Sequence, residues 1–461
     1  MTAKTLQGFP LSPQQRRIWS LQQLGEGLYV ECTIQVKGHL DITLLQTALR
    51  ETCRRHEVLR VSFHVRPELS FPFQVVEETE YLEFTFAEET EEKSLQAHRE
   101  AFHAISNDSQ CAPARVLLVK LMNGNHVLTL RLGALRMDAF SLRLFCREVV
   151  TCYTENTFSL GNNELIGYSQ FSEWQNNLLS TPDVDAAVFW ENYNFQNYFS
   201  LKLPLENESA ALGANEPEAV ELLVDAAILS QLRQVVSDLN TELSTLLLAC
   251  WKMLIYKYTG INNLTIGYVC NEREYEELRS LIGPVAKIFP IASHIDSSTS
   301  IVTLIKQLSL VISDALGWQD YFSFGETNAS QGNDQKFPLA FEFLELQENI
   351  SGNNEVNFSV TDFRSNTDPA RLKLACNYFE SRLLLSFHYH PHYYDRSVIE
   401  LVKNHFLALL HSILLKKEET IERLSVLSKT VAEPWSVHGI FGGSTNWEDQ
   451  TVVSLFEQQV R

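Results

Sequence analysis

Apolar and polar positions along the chain alternate between two periods. Residues 28–37, LYVECTIQVK, are rich in β-formers and predict a strand. Asp41 then precedes Leu44, Leu45, Ala48, Leu49 and Cys53, a helical spacing behind a capping residue, and VSFHV (61–65) returns to strand. In HVLTLRL (126–132), Leu128, Leu130 and Leu132 share one strand face, and a helix over about 139–154 follows with Phe140, Leu144, Phe145 and Val149 inward. After a polar stretch at 204–218, PLENESAALGANEPE, the series resumes with a strand at 219–224, helices at 226–239 and 242–258, the latter stopped by Gly260, and a strand at 264–270. A strand at 338–346, a strand pair near 372–390 and an amphipathic helix at 397–415 complete it. The pattern predicts an α/β protein of two similar halves joined near 204–218, without an exact repeat. Past residue 430, turn formers replace periodicity until TVVSLFEQQVR (451–461), which reads as the opening of another helix.

Composition acts mainly by exclusion. A chain of 461 residues is too long for one ordinary core, and 45% hydrophobic with 20% charged residues excludes disorder. The formal charge of -20 would repel a phosphate backbone or an anionic membrane face, so neither nucleic acid nor membrane is expected as a partner. The most apolar helix candidate, LSTLLLACWKMLIYKY (243–258), is interrupted by Lys252 and too short to span a bilayer. With no secretory signal in MTAKTLQGFPLSPQQRR, a cytoplasmic location is expected. The eight cysteines, at 32, 53, 111, 146, 152, 250, 270 and 376, contain no Cys-x-x-Cys pair and read as reduced, buried thiols.

Candidate chemistry is sparse. In RLGALRMDAFSLRLF (131–145) a single carboxylate, Asp138, stands at a strand-to-helix junction, where capping the helix explains it as readily as catalysis. In FHYHPHYYD (387–395), His388 and His390 share a strand face and Asp395 could be a third metal ligand; Pro391 breaks that strand and Asp395 suits a helix cap, so core or surface imidazoles are expected and no metal. RRHEVLR (54–60) suits a helix C-terminus, where basic side chains meet the negative dipole end. No nucleophile elbow, phosphate-binding glycine loop or His-Glu-x-x-His pattern occurs.

Six short runs, in order, resemble the condensation domain of nonribosomal peptide synthetases over about residues 8–430: SPQQRRIWSL (12–21), RHEVLRVSF (55–63), YSQFSEWQ (168–175), LIGPVAKIFPI (281–291), WQDYFSF (318–324) and FPLAFEFLELQE (337–348). The resemblance implies two chloramphenicol-acetyltransferase-like lobes in a V-shaped pseudo-dimer with a central tunnel. It divides the chain into an N-terminal lobe at 1–178, a C-terminal lobe at 179–430, and a linker with the start of an adenylation domain at 431–461. The implied partners are carrier protein domains bearing phosphopantetheine-tethered acyl groups and a downstream adenylation domain in cis, with no cofactor bound by the domain itself. Because Met1 lies shortly before the first run, any donor carrier is expected on another chain.

The family's third motif, His-His-x-x-x-Asp-Gly, falls on Gly133, Ala134, Leu135, Arg136, Met137, Asp138 and Ala139. Both imidazoles are absent, and a methyl group neither takes up nor orients a proton. His126 is eight residues back, about 26 Å along a strand, and cannot substitute. By resemblance Asp138 pairs with Arg273, and Arg136, Ser141, Trp318 and Gln319 would line the tunnel. Heterocyclisation domains carry Asp-x-x-x-x-Asp-x-x-Ser instead; Asp138 and Ser141 match its last two positions, and FPL (9–11) leans the same way, but Gly133 stands where its first Asp should be. The expectation is a condensation-like domain impaired in standard amide formation and serving as a scaffold or carrier platform. The alternative is an active, divergent condensation or heterocyclisation-like enzyme. Docking of acidic carriers would need positive faces, for which Arg16, Arg17, Arg54 and Lys37 are candidates.

Overall fold

In the computed structural model, residues 8–426 are described apart from 26, 80–81, 89–91, 105–113, 157–165, 182, 193–200, 208–216, 271–272, 274, 323–336, 351–355 and 417. The expected linker and adenylation start at 431–461, most of the 204–218 linker and Cys111 lie outside these residues.

The first half runs β1 (Phe9–Pro10), α1 (Pro13–Gln23), β2 (Tyr29–Gly38), α2 (Ile42–Arg55), β3 (Val61–His64), β4 (Phe73–Val76), β5 (Leu82–Glu88), α3 (Glu92–Ala104), β6 (Ala114–Lys120), β7 (His126–Gly133), α4 (Ala139–Glu155), α5 (Tyr168–Ser180) and α6 (Val184–Asn192). The second runs β8 (Glu218–Leu223), α7 (Ala226–Leu239), α8 (Leu243–Thr259), β9 (Asn263–Cys270), β10 (Lys287–His294), α9 (Ile301–Gly317), β11 (Phe337–Leu346), β12 (Asn349–Ile350), β13 (Val356–Asn366), β14 (Ala370–Phe379), β15 (Leu383–Tyr389) and α10 (Arg396–Leu415).

Two six-stranded mixed sheets result, ordered β12-β13-β2-β7-β6-β5 and β10-β9-β11-β14-β15-β8, with a small sheet β1-β4-β3 beside them. The first sheet buries Ile34 and Leu130 under Leu45 and Leu49 of α2 and Phe145 of α4. Asp41 starts α2 as expected of a cap, its Oδ1 accepting from the Leu44 N–H at 3.0 Å. The second sheet buries Phe341 and Leu374 under Trp251 of α8, Leu304 of α9 and Phe406 of α10. The helix α8 runs through Lys252 and ends where Gly260 takes φ +66°. Lys252 is itself fully buried, its Nζ within hydrogen-bond distance of the carbonyls of Leu264 at 2.9 Å and Ile291 at 2.7 Å and of Ser293 Oγ at 3.1 Å. The helix α10 is long and apolar enough to cross a bilayer by length and composition alone, but Ile399, Val402, Phe406 and Leu409 are buried in the second core.

A cut between residues 178 and 179 does not separate the sheets. β13, from the second half, lies antiparallel along β2 over its whole length, from Val356 opposite Gly38 to Asn366 opposite Tyr29, and extends the first sheet. The next strand, β14, then returns to the second sheet, parallel to β11. Lys373 Nζ of β14 reaches across to the Ser365 carbonyl of β13 in the first sheet at 2.7 Å, and forms a buried ion pair with Glu342 Oε2 of the neighbouring strand β11 at 2.9 Å.

Candidate functional site

The strand β7 ends at Gly133, and a turn closed by the Arg136 N–H on the Gly133 carbonyl at 3.0 Å delivers Asp138 to the start of α4. Asp138 Oδ1 caps that helix by accepting from the Ser141 N–H at 2.7 Å, while Oδ2 accepts from the N–H groups of Val285 and Ala286, each at 2.8 Å. Arg273 Nη2 lies 3.1 Å from both carboxylate oxygens, and the two side chains are 1% and 2% exposed. Ser141 Oγ accepts from Arg273 Nη2 at 2.8 Å and from the Gly283 N–H at 3.0 Å, and donates to the Gly283 carbonyl at 2.8 Å. The guanidinium lies over Phe140, 4.6 Å from the ring centre, and Phe140 packs, partly buried, against the first core.

Tyr168, which opens α5, completes the joint. Its hydroxyl donates to the Pro284 carbonyl and meets Ser12 Oγ, each at 2.8 Å, and burial pushes its pKa up. Gly283 sits at φ +150° with the Tyr168 ring so close that a Cβ would lie 2.1 Å from it. The YSQF run is further held by Glu57 of RHEVLR, whose Oε1 accepts from the Ser169 N–H at 2.5 Å. Tyr168, Gly283 and Glu57 fall inside runs that carry the family resemblance, but the sequence assigns none of them a role: each acts on a residue more than 100 positions away, and only the glycine carries even a weak local signal.

The positions where the histidine motif falls are apolar. Ala134 is 0% exposed and packs with Ile18, Trp19, Leu28, Phe63 and Leu135. Ala139 and Met137 are buried in the first core. Gly133, opposite Tyr29, is half-buried, and a Cβ there would meet nothing within 4 Å. Arg136 turns back into the first half: its Nη2 donates to the Val61 carbonyl at 2.8 Å and its guanidinium lies 5.6 Å from the Phe63 ring centre.

The structure thus gathers Asp138, Ser141 and Arg273, while Trp318 and Gln319 hold other partners. The Trp318 carbonyl accepts from Trp190 Nε1 at 3.0 Å, and Gln319 Oε1 accepts from Cys270 Sγ at 3.5 Å. Among the basic candidates, Arg16 is bound to Asn176 and Arg17 to Asp368 at 3.1 Å, whereas Arg54, paired with Glu51 at 2.7 Å, and Lys37 stand at the surface. No cluster of three metal-ligating side chains occurs among the described residues. Burial, then the nearby charges of Lys373 and Arg364, pushes His388 down to about 3. Asp395 occupies the N-cap position of α10, though its side chain makes no capping hydrogen bond. Cys32, Cys53, Cys146, Cys152, Cys250, Cys270 and Cys376 are free and buried.

The family model described as "Condensation domain" matches residues 6–433. Among curated proteins, the chain is 23% identical over 464 residues to gramicidin S synthase 2 of Brevibacillus brevis, covering 98% of this chain and 10% of that one. It is 26% identical over 475 residues to tyrocidine synthase 2 of Brevibacillus parabrevis, covering 98% and 13%. The chain therefore spans about a tenth of the length of the curated relatives it matches. Among solved structures, the first condensation domain of the calcium-dependent antibiotic synthetase, in complex with a substrate analogue, superposes with a TM-score of 0.78 at 15% identity, covering 91% of this chain and 99% of that one. The X-domain from teicoplanin biosynthesis superposes at 0.75 with 19% identity, covering 93% and 99%.

Proposed function

The chain belongs to the condensation-domain family, with its two-lobed, chloramphenicol-acetyltransferase-like α/β fold, and on that premise we propose that it is a nonribosomal peptide synthetase domain idle in standard amide-bond formation. It serves as a scaffold or docking platform for carrier protein domains, ahead of an adenylation domain in cis. It acts in the cytoplasm and binds no cofactor of its own; phosphopantetheine arrives on its carriers.

The observation that carries this reading is Ala134, which stands where the family's second histidine would fall and is fully buried in an apolar cluster. A proton acceptor at that place would contribute about 10² to 10⁴ in rate. Asp138 and Ser141, which follow Ala134 at the start of α4, already spend their hydrogen bonds on Arg273 and on residues 283–286. That also weighs against a heterocyclisation-like role for the pair. A platform role has a parallel in a fold neighbour: the X-domain of teicoplanin biosynthesis has been solved as a complex with OxyB, at a TM-score of 0.74 to this chain. Of the positive groups considered for carriers, Arg54 and Lys37 are those at the surface.

The competing reading, a divergent enzyme, draws on the open space beside Gly133 and on the rate that positioning alone can supply. The test supplies donor-loaded and acceptor-loaded carriers and follows product by intact-protein mass spectrometry. The platform reading expects product no faster than uncatalysed aminolysis, together with measurable carrier binding. Product formed well above that background would sink it.

A further inference from the structure

We propose that Trp174 and Tyr275 form an anchor for a cationic side chain, arginine above all, on a basic protein partner. The two rings come from opposite halves of the molecule and meet edge to face, with centroids 5.6 Å apart. Trp174, on α5, is 37% exposed and Tyr275 47%, although Trp19 and Trp251 are buried. Buried Phe171 also packs on Trp174, with ring centroids 5.9 Å apart, so the indole contacts two rings.

Both rings lie close in sequence to residues of the buried joint. Tyr275 follows Arg273 by two residues, and Trp174 lies on the helix that Tyr168 and Glu57 fix in place. The Trp174 side of the anchor is therefore preorganised and loses little conformational freedom when a partner binds.

Its rim is acidic. Glu173 neighbours Trp174, and Glu276 and Glu277 follow Tyr275 on a short 3-10 turn; all three are exposed, with Arg279 the one exposed base on that turn. Aromatic faces attract cations through their quadrupole, and carboxylates around them add to that field. The same charges repel an acidic partner, so this face suits a different class of protein from an acidic carrier domain. The proposal goes beyond the platform reading and does not depend on it, since an active domain could carry the same anchor.

The test titrates the full chain with a short arginine–glycine peptide by isothermal titration calorimetry, with an aspartate–glycine peptide for comparison. One saturable site for the arginine peptide is expected, weakened about fivefold by Tyr275→Ala and by Trp174→Ala. The pair Glu276→Lys and Glu277→Lys should weaken it more than the pair Glu418→Lys and Glu422→Lys, an equal change of charge at exposed positions elsewhere. Equal loss from both pairs, unchanged binding by Tyr275→Ala, or preference for the aspartate peptide would overturn the proposal, and none of these outcomes bears on whether the domain forms amide bonds.

Discussion

Four donors converge on the Asp138 carboxylate: the N–H groups of Ser141, Val285 and Ala286, and Arg273 Nη2. Removing that carboxylate leaves a guanidinium buried without its counter-charge and strips the cap from α4. Asp138→Ala should therefore cost about 3–5 kcal/mol, read as a lower urea midpoint; a shift within about 0.5 kcal/mol would show that the ion pair is not what joins the halves here. Two glycines nearby should behave oppositely. Gly283→Ala forces a methyl group into the Tyr168 ring at a left-handed φ and should lower the melting temperature, whereas Gly133→Ala meets open space and should change stability by no more than about 0.5 kcal/mol. Equal effects of the two would contradict the geometry. Asp138 was visible in the sequence because a lone carboxylate at a strand-to-helix junction breaks the pattern. Arg273 came into view only through family resemblance, and Ser141 was given a tunnel-lining place rather than its hydrogen bonds to Gly283, because pairings across more than 100 residues leave no periodic trace.

Elements of strong period were legible to within a residue or two. β2, α2, β7, α4, α8 and α10 lie close to their predicted spans, because each carries a sustained run of buried apolar residues bounded by capping or turn residues. β13 was missed as an element even though Val356, Phe358 and Val360 alternate with polar residues along it; that alternation marks a strand but says nothing about which sheet it joins. Lys252, read as a break in an apolar run, sits inside α8 with three oxygens around its Nζ. Burial lowers its pKa well below the ordinary value of 10.5, so the unfolded chain binds a proton that the folded chain releases. Stability should accordingly rise with pH from the lowered folded value up toward 10.5, and Lys252→Met should remove that rise. Urea denaturation of both proteins across mildly alkaline pH checks this, and parallel pH curves would refute it.

For the whole molecule, the histidine motif cannot be restored by substitution alone. At Ala134 an imidazole would enter a packed apolar cluster, overfilling it and burying a polar ring. Gly133→His plus Ala134→His should lose about 1–3 kcal/mol and gain no product in the carrier assay; a stable variant with rapid turnover would mean that the cleft accommodates the ring.

The strand that crosses between the sheets also sets the order in which the molecule can be built. During synthesis β2 and β7 can pair early, but the other edge of β2 has no partner until residue 366 has left the ribosome. Until then a ten-residue row of backbone donors and acceptors is bare, an invitation to pairing with a neighbouring nascent chain. Halves expressed separately would inherit the same exposed edge, so the N-terminal lobe on its own should aggregate unless a strand equivalent to β13 is supplied.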